Sequence, residues 1–117
     1  MITDMQLAKH HFYNDIDQDI VDKLTGPVCS ILAPQALGPF RCPLTYAAYR
    51  HVPTTYLLCK NDNTLILTAQ KQLVEWANTG NPIKVETVTC EAGHSPFLSM
   101  PTLVVELIQN IADRYKE

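Results

Sequence analysis

A chain of 117 residues, 46% hydrophobic and 18% charged, has room for one compact core and is neither disordered nor fibrous in composition. Nine basic against twelve acidic side chains give a net charge of -3 with the signs interspersed, so no basic stripe points to nucleic acid or an anionic membrane as a partner. The first six residues hold no basic segment followed by an apolar run, and no window approaches a bilayer span; the expectation is a soluble cytoplasmic protein.

The texture changes near Pro53, dividing the chain into residues 1–52 and 53–117. In the first part prolines break up short segments. Asp15-Ile16-Asp17-Gln18-Asp19 offers N-cap carboxylates, and Ile16, Ile20, Val21 and Leu24 follow at helical spacing until Gly26-Pro27 stops the run. One or two further turns are expected over residues 30–37, interrupted by Pro34, and a third short helix over 43–49. Residues 54–59 form an unbroken apolar stretch of β-favouring residues, which suits a strand buried on both faces. Asn61-Asp62-Asn63 ends it. Ala69, Leu73, Trp76 and Ala77 then mark one apolar helix face, with Trp76 in the core, and Thr79-Gly80-Asn81-Pro82 supplies the stop. Residues 84–90 alternate Lys84 and Glu86 with Val85 and Thr87, as in a second strand nearer an edge. After the loop Gly93-His94-Ser95-Pro96, Ser99 is placed to cap a last helix with Pro101 near its first position and a buried stripe of Val104, Leu107, Ile108 and Ile111. The order is strand, helix, strand, helix, a parallel α/β unit behind a helical N-terminal segment.

Ligands and catalytic groups of open α/β sheets sit in loops leaving the carboxyl ends of strands, and Asp62 and His94 occupy the two such loops. Neighbouring parallel strands joined by a right-handed crossover bring both side chains to one rim. A carboxylate beside an imidazole fixes its tautomer and supports the imidazolium, as in the orienter and base of a nucleophilic triad. From spacing alone a functional pair and an ordinary turn Asp beside a loop His both remain open, because Asn-Asp-Asn is also plain turn chemistry. The four cysteines match no C-x-x-C pattern. Cys59 and Cys90 each close an apolar run and read as small buried hydrophobes, and no metal site or cofactor is expected. His10 and His11 read as solvated without spaced co-ligands, and His51 as a surface loop residue.

At these residues the sequence resembles the α/β-hydrolase family, in particular its small-molecule esterase and hydroxynitrile-lyase-like branch with many fungal members. Tyr56-Leu57-Leu58-Cys59-Lys60-Asn61-Asp62-Asn63 resembles the strand and turn of the catalytic acid, and Ala92-Gly93-His94-Ser95-Pro96-Phe97-Leu98-Ser99 the loop of the catalytic histidine. Phe12-Tyr13-Asn14-Asp15, Pro34-Gln35-Ala36-Leu37 and Thr45-Tyr46-Ala47-Ala48-Tyr49 resemble the cap that precedes them, so the likeness covers residues 9–115. It implies a partial α/β-hydrolase fold with a cap-like segment 1–52, Asp62 as acid, His94 as base, and Tyr13, Tyr46, Tyr49 and Phe97 lining a site for a small-molecule ligand.

Two departures stand against this likeness. Ile66 occupies the place where the family commonly has a proline after the acid turn, and no G-x-S-x-G nucleophile elbow occurs in the 117 residues. Ser30 falls in the cap-like part, Ser95 adjoins the histidine, and Ser99 is a helix cap. Three readings follow: an acid-and-base half whose nucleophile another polypeptide supplies, or which transfers protons in a non-hydrolytic step; a pseudoenzyme or dimerisation module; and a truncated gene product. The expected partner is a second copy or a complementary hydrolase-like chain, because two strands leave the edge beside Tyr56, Leu57 and Leu58 unpaired.

Overall fold

The computed structural model describes residues 5–28, 38–43 and 45–116. Two helices open it, α1 (Met5–Phe12) and α2 (Gln18–Val28). Asp17 caps α2: its carboxylate accepts the Asp19 N–H at 2.8 Å while its carbonyl accepts the Val21 N–H at 3.0 Å. The inward side chains are Ala8 of α1 and Val21 of α2, and Lys9 pairs with Asp22 across the two helices. Sequence periodicity gave no hint of α1. Gly26-Pro27 does not stop α2, which continues to Val28; a proline φ of about −65° is itself helical and so does not by itself end a helix. The turns expected over 30–37 lie outside the described residues. Between 38 and 52 the helical elements are α3 (Gly38–Arg41) and a 3₁₀ turn (Ala48–Arg50), in place of a helix over 43–49.

The α/β unit follows as expected: β1 (Thr55–Cys59), α4 (Leu67–Asn78), β2 (Glu86–Cys90), a short α5 (Pro96–Ser99) and α6 (Pro101–Asp113). The strands run parallel with Thr55 opposite Glu86 and Cys59 opposite Cys90. Pairing continues past β1, where Lys60 N–H reaches the Cys90 carbonyl at 3.0 Å and Asn61 N–H the Ala92 carbonyl at 3.1 Å. That extension carries the two following loops away from the sheet side by side. Gly80, at φ 65°, makes the left-handed turn after α4. Cys59, Cys90 and Ala92 form the buried core under the loops, with Leu57, Met100 and Leu103 packed against them.

The sheet is narrower than the apolar pattern, and this corrects three burial expectations. In β1 only Leu58 and Cys59 are buried, since among the described residues one neighbouring strand covers one side. On α4 the buried residue is Gln70, while Leu73 and Trp76 overhang the sheet at 42% and 63% exposure. The stripe of α6 is half-buried at Val104, Leu107 and Ile111 and exposed at Ile108. Ser99 does not cap α6: it closes α5, its hydroxyl donates to the Ser95 carbonyl at 3.5 Å, and Met100 precedes Pro101 without a side-chain cap. Among the described residues no helix is long and apolar enough to cross a membrane.

Candidate active site

Asp62 sits in the turn after β1 and His94 in the loop after β2, and the parallel register brings them into contact. His94 Nδ1 lies 2.9 Å from Asp62 Oδ2 and 3.1 Å from Oδ1. Oδ1 also accepts the backbone N–H groups of Thr64 at 2.7 Å and Leu65 at 2.9 Å. Burial pushes the Asp62 carboxyl pKa up, but the Leu65 N–H, His94 and the Thr64 N–H together outweigh it and hold the value below the ordinary one. An ionised carboxylate only accepts, so the shared proton resides on Nδ1 of His94, which leaves Nε2 as the nitrogen that bears a lone pair whenever the imidazole is neutral.

The N-terminal segment fastens over both loops. Asn14 donates to the Asn61 carbonyl at 2.8 Å, and His11 Nδ1 to the Asn63 carbonyl at 3.1 Å. In return Asn63 donates to the His10 carbonyl at 3.1 Å and Thr64 to that of His11 at 2.6 Å. On the histidine side the Gly93 N–H donates to Asp15 Oδ2 at 2.5 Å, and the Phe12 ring lies 5.3 Å from the His94 ring. His11 is therefore bound to the acid turn, not solvated as its position near the chain start implies. The two loops are also tied to each other: Asn61 donates to the Glu91 carbonyl at 2.5 Å, and Lys60 pairs with the Glu91 carboxylate.

The aromatic residues expected around a ligand are dispersed. Tyr13 stands next to Phe12 with ring centroids 6.3 Å apart and lines a polar hollow with Lys9, His10 and Asn63. Tyr46 is exposed and stacks on His51 at 5.0 Å, and Tyr49 lines an apolar cavity of about 410 Å³ with Tyr56, Leu73, Trp76 and Val85. Phe97 is 61% exposed at the start of the short helix after His94. Sequence reading passed over Gln70, whose signal is a polar residue between Leu67 and Val74 on the inward line of α4, and placed Asn14 and Asp15 in the cap-like segment without their bonds to the two loops, whose partners lie far along the chain. Among the described residues no group of three or more His, Cys, Asp or Glu could hold a metal ion.

A parallel strand-helix-strand unit with a carboxylate and an imidazole meeting beyond its strand ends defines an open-sheet α/β protein. The chain belongs to the alpha/beta hydrolase family, whose model matches residues 3–107. It is similar to alpha/beta hydrolase nvfD of Aspergillus novofumigatus, at 31% identity over 95% of this chain and 41% of that protein. It is also similar to the probable hydrolase R7 of a Phoma species, at 30% identity over 69% of this chain and 33% of that one. The chain thus spans less than half the length of either relative.

Proposed function

We propose that these residues are the acid-and-base part of a small-molecule serine hydrolase of the esterase and hydroxynitrile-lyase-like branch, with residues 1–52 as cap and 53–117 as core. The observation that carries this reading is the contact of 2.9 Å between His94 Nδ1 and Asp62. With Nδ1–H engaged by Asp62, Nε2 of His94 takes the proton of an attacking hydroxyl and returns it to the leaving group, while the Asp62 charge steadies the imidazolium between the two transfers. The hydroxyl comes from a polypeptide outside these 117 residues, which contain no G-x-S-x-G. Phe12 against the His94 ring and the bonds of residues 10–15 hold both loops while that partner docks.

The test is to purify the native species and identify any chain bound to it. A G-x-S-x-G polypeptide that a fluorophosphonate labels rapidly with wild-type chain present, and slowly with His94→Ala, is the expected result; a species with no such serine, or labelling indifferent to His94, overturns the reading. A second reading, a non-catalytic interaction module, draws support from the exposed Leu73 and Trp76, apolar side chains that a partner could cover whether or not the pair works.

A further inference from the structure

One side chain closes the turn that carries Asp62 at both of its ends. Gln70 lies in the first half of α4 and is 2% exposed. Its Oε1 accepts the Cys59 N–H at 2.9 Å, and its Nε2 donates to the Cys59 carbonyl at 2.8 Å and to the Leu65 carbonyl at 2.6 Å. Both amide protons are thereby used. Cys59 is the last residue of β1, and Leu65 stands three places after Asp62, so the amide spans the stem and the exit of the turn. At the stem it takes both backbone groups of Cys59, as a neighbouring strand would. At the exit it fixes the residue whose own N–H bonds Asp62 Oδ1. The connection runs without a gap from Gln70 through Leu65 to the Asp62 carboxylate and on to His94 Nδ1.

The chemistry needs a neutral amide. Three backbone groups in a dry place require one acceptor and two donors on one short arm; a carboxylate would bring an unneutralised charge, and an apolar residue would leave all three unpaired. We propose that Gln70 is a positioning residue for the acid–base pair, standing in for a strand at the end of β1 so that the turn presents Asp62 to His94. This rests on reading Asp62 and His94 as that pair.

The test follows the Asp62 carboxyl carbon by NMR titration in the full chain, together with amide exchange, comparing Gln70→Met with the control Gln72→Met on the exposed side of the same helix. In Gln70→Met the Asp62 midpoint should rise toward 3.8, and Thr64 and Leu65 amide protection should fall by about tenfold or more while that of α6 holds. Gln72→Met should leave both unchanged. A folded Gln70→Met with an unmoved Asp62 titration, or with protection lost uniformly across the molecule, overturns the proposal. Should Gln70→Met fail to fold, Gln70→Asn, neutral and one methylene too short to span both ends, is held to the same two outcomes. None of these measurements needs turnover. Failure of the pair itself would show separately, as His94 ring resonances indifferent to Asp62→Asn.

Discussion

Asp62 stays ionised although buried because three donors converge on it, two of them backbone N–H groups of its own turn. Its folded-state pKa lies below the ordinary 3.8, so the stability it contributes is present above that value and is lost as pH falls through the lower, folded one. Asp62→Asn is accordingly expected to cost about 1–3 kcal/mol at pH 7, and urea unfolding should find that difference shrinking as the pH drops below the ordinary carboxylate range. The Cys59 thiol behind the pair follows the opposite logic. Cys59 Sγ and Cys90 Sγ lie 3.8 Å apart. Burial first, then the hydrogen bond with Cys90 and nearby carboxylates, push Cys59 up to about 12. A thiol that does not ionise does not react. Peptide mapping after brief alkylation of the folded chain should find exposed Cys42 modified and Cys59 and Cys90 spared until denaturant is added.

Among elements, the decisive contact joins residues 10–15 to the two loops, and Gly93 is where it is tightest. A Cβ there would meet Asn14 Oδ1 and come within 2.6 Å of Asp15 Oδ1, both on side chains already held by hydrogen bonds. Gly93→Ala is therefore expected to cost about 1–3 kcal/mol by overpacking and to raise exchange at Asn61 and Gly93; an unchanged unfolding midpoint and unchanged exchange would show that the segment yields freely. Pattern reading found an N-cap carboxylate among Asp15, Asp17 and Asp19, β1, α4, β2, α6, their parallel order and the meeting of Asp62 with His94, because periodicity, turn residues and crossover handedness are local or topological rules. It misjudged the inward lines of α4 and α6, since periodicity marks an apolar face without saying how wide a sheet waits to cover it. Gln70 was missed for a related reason: its burial is set by the free backbone groups of Cys59 and Leu65, which no side-chain pattern displays. The bonds of Asn14 and Asp15 cross 47 and 78 positions of sequence and leave no local trace.

For the whole molecule the question is what covers the surface that two strands cannot. Among the described residues β1 pairs with β2 alone, so its other side is an open edge along Thr55 and Leu57. Beside that edge Leu73 and Trp76 border the apolar cavity, and on α6 Val105 and Ile108 are 52% and 60% exposed. Full burial of a side chain of this size contributes about 1.5–3 kcal/mol, so each of these, about half exposed, forgoes about 1 kcal/mol, and together they are a large share of the roughly 5–15 kcal/mol that a domain typically has. We propose that association through this edge, with a second copy or with a complementary hydrolase-like chain, would recover it, a two-fold pairing of β1 edges closing the sheet on itself. The purified chain is thus expected to self-associate at micromolar concentration, with an unfolding midpoint that rises with concentration. Without a partner's hydroxyl it should not turn over an activated ester beyond the rate of a His94→Ala control. Trp76→Glu, which places a charge on the cavity rim, should shift the sedimentation equilibrium toward the 13.1 kDa species. A wild-type chain that sediments as a folded monomer of that mass, with unfolding independent of concentration, would mean that α3 and the segment around the 3₁₀ turn already cover the edge, and the association would then have no driving surface.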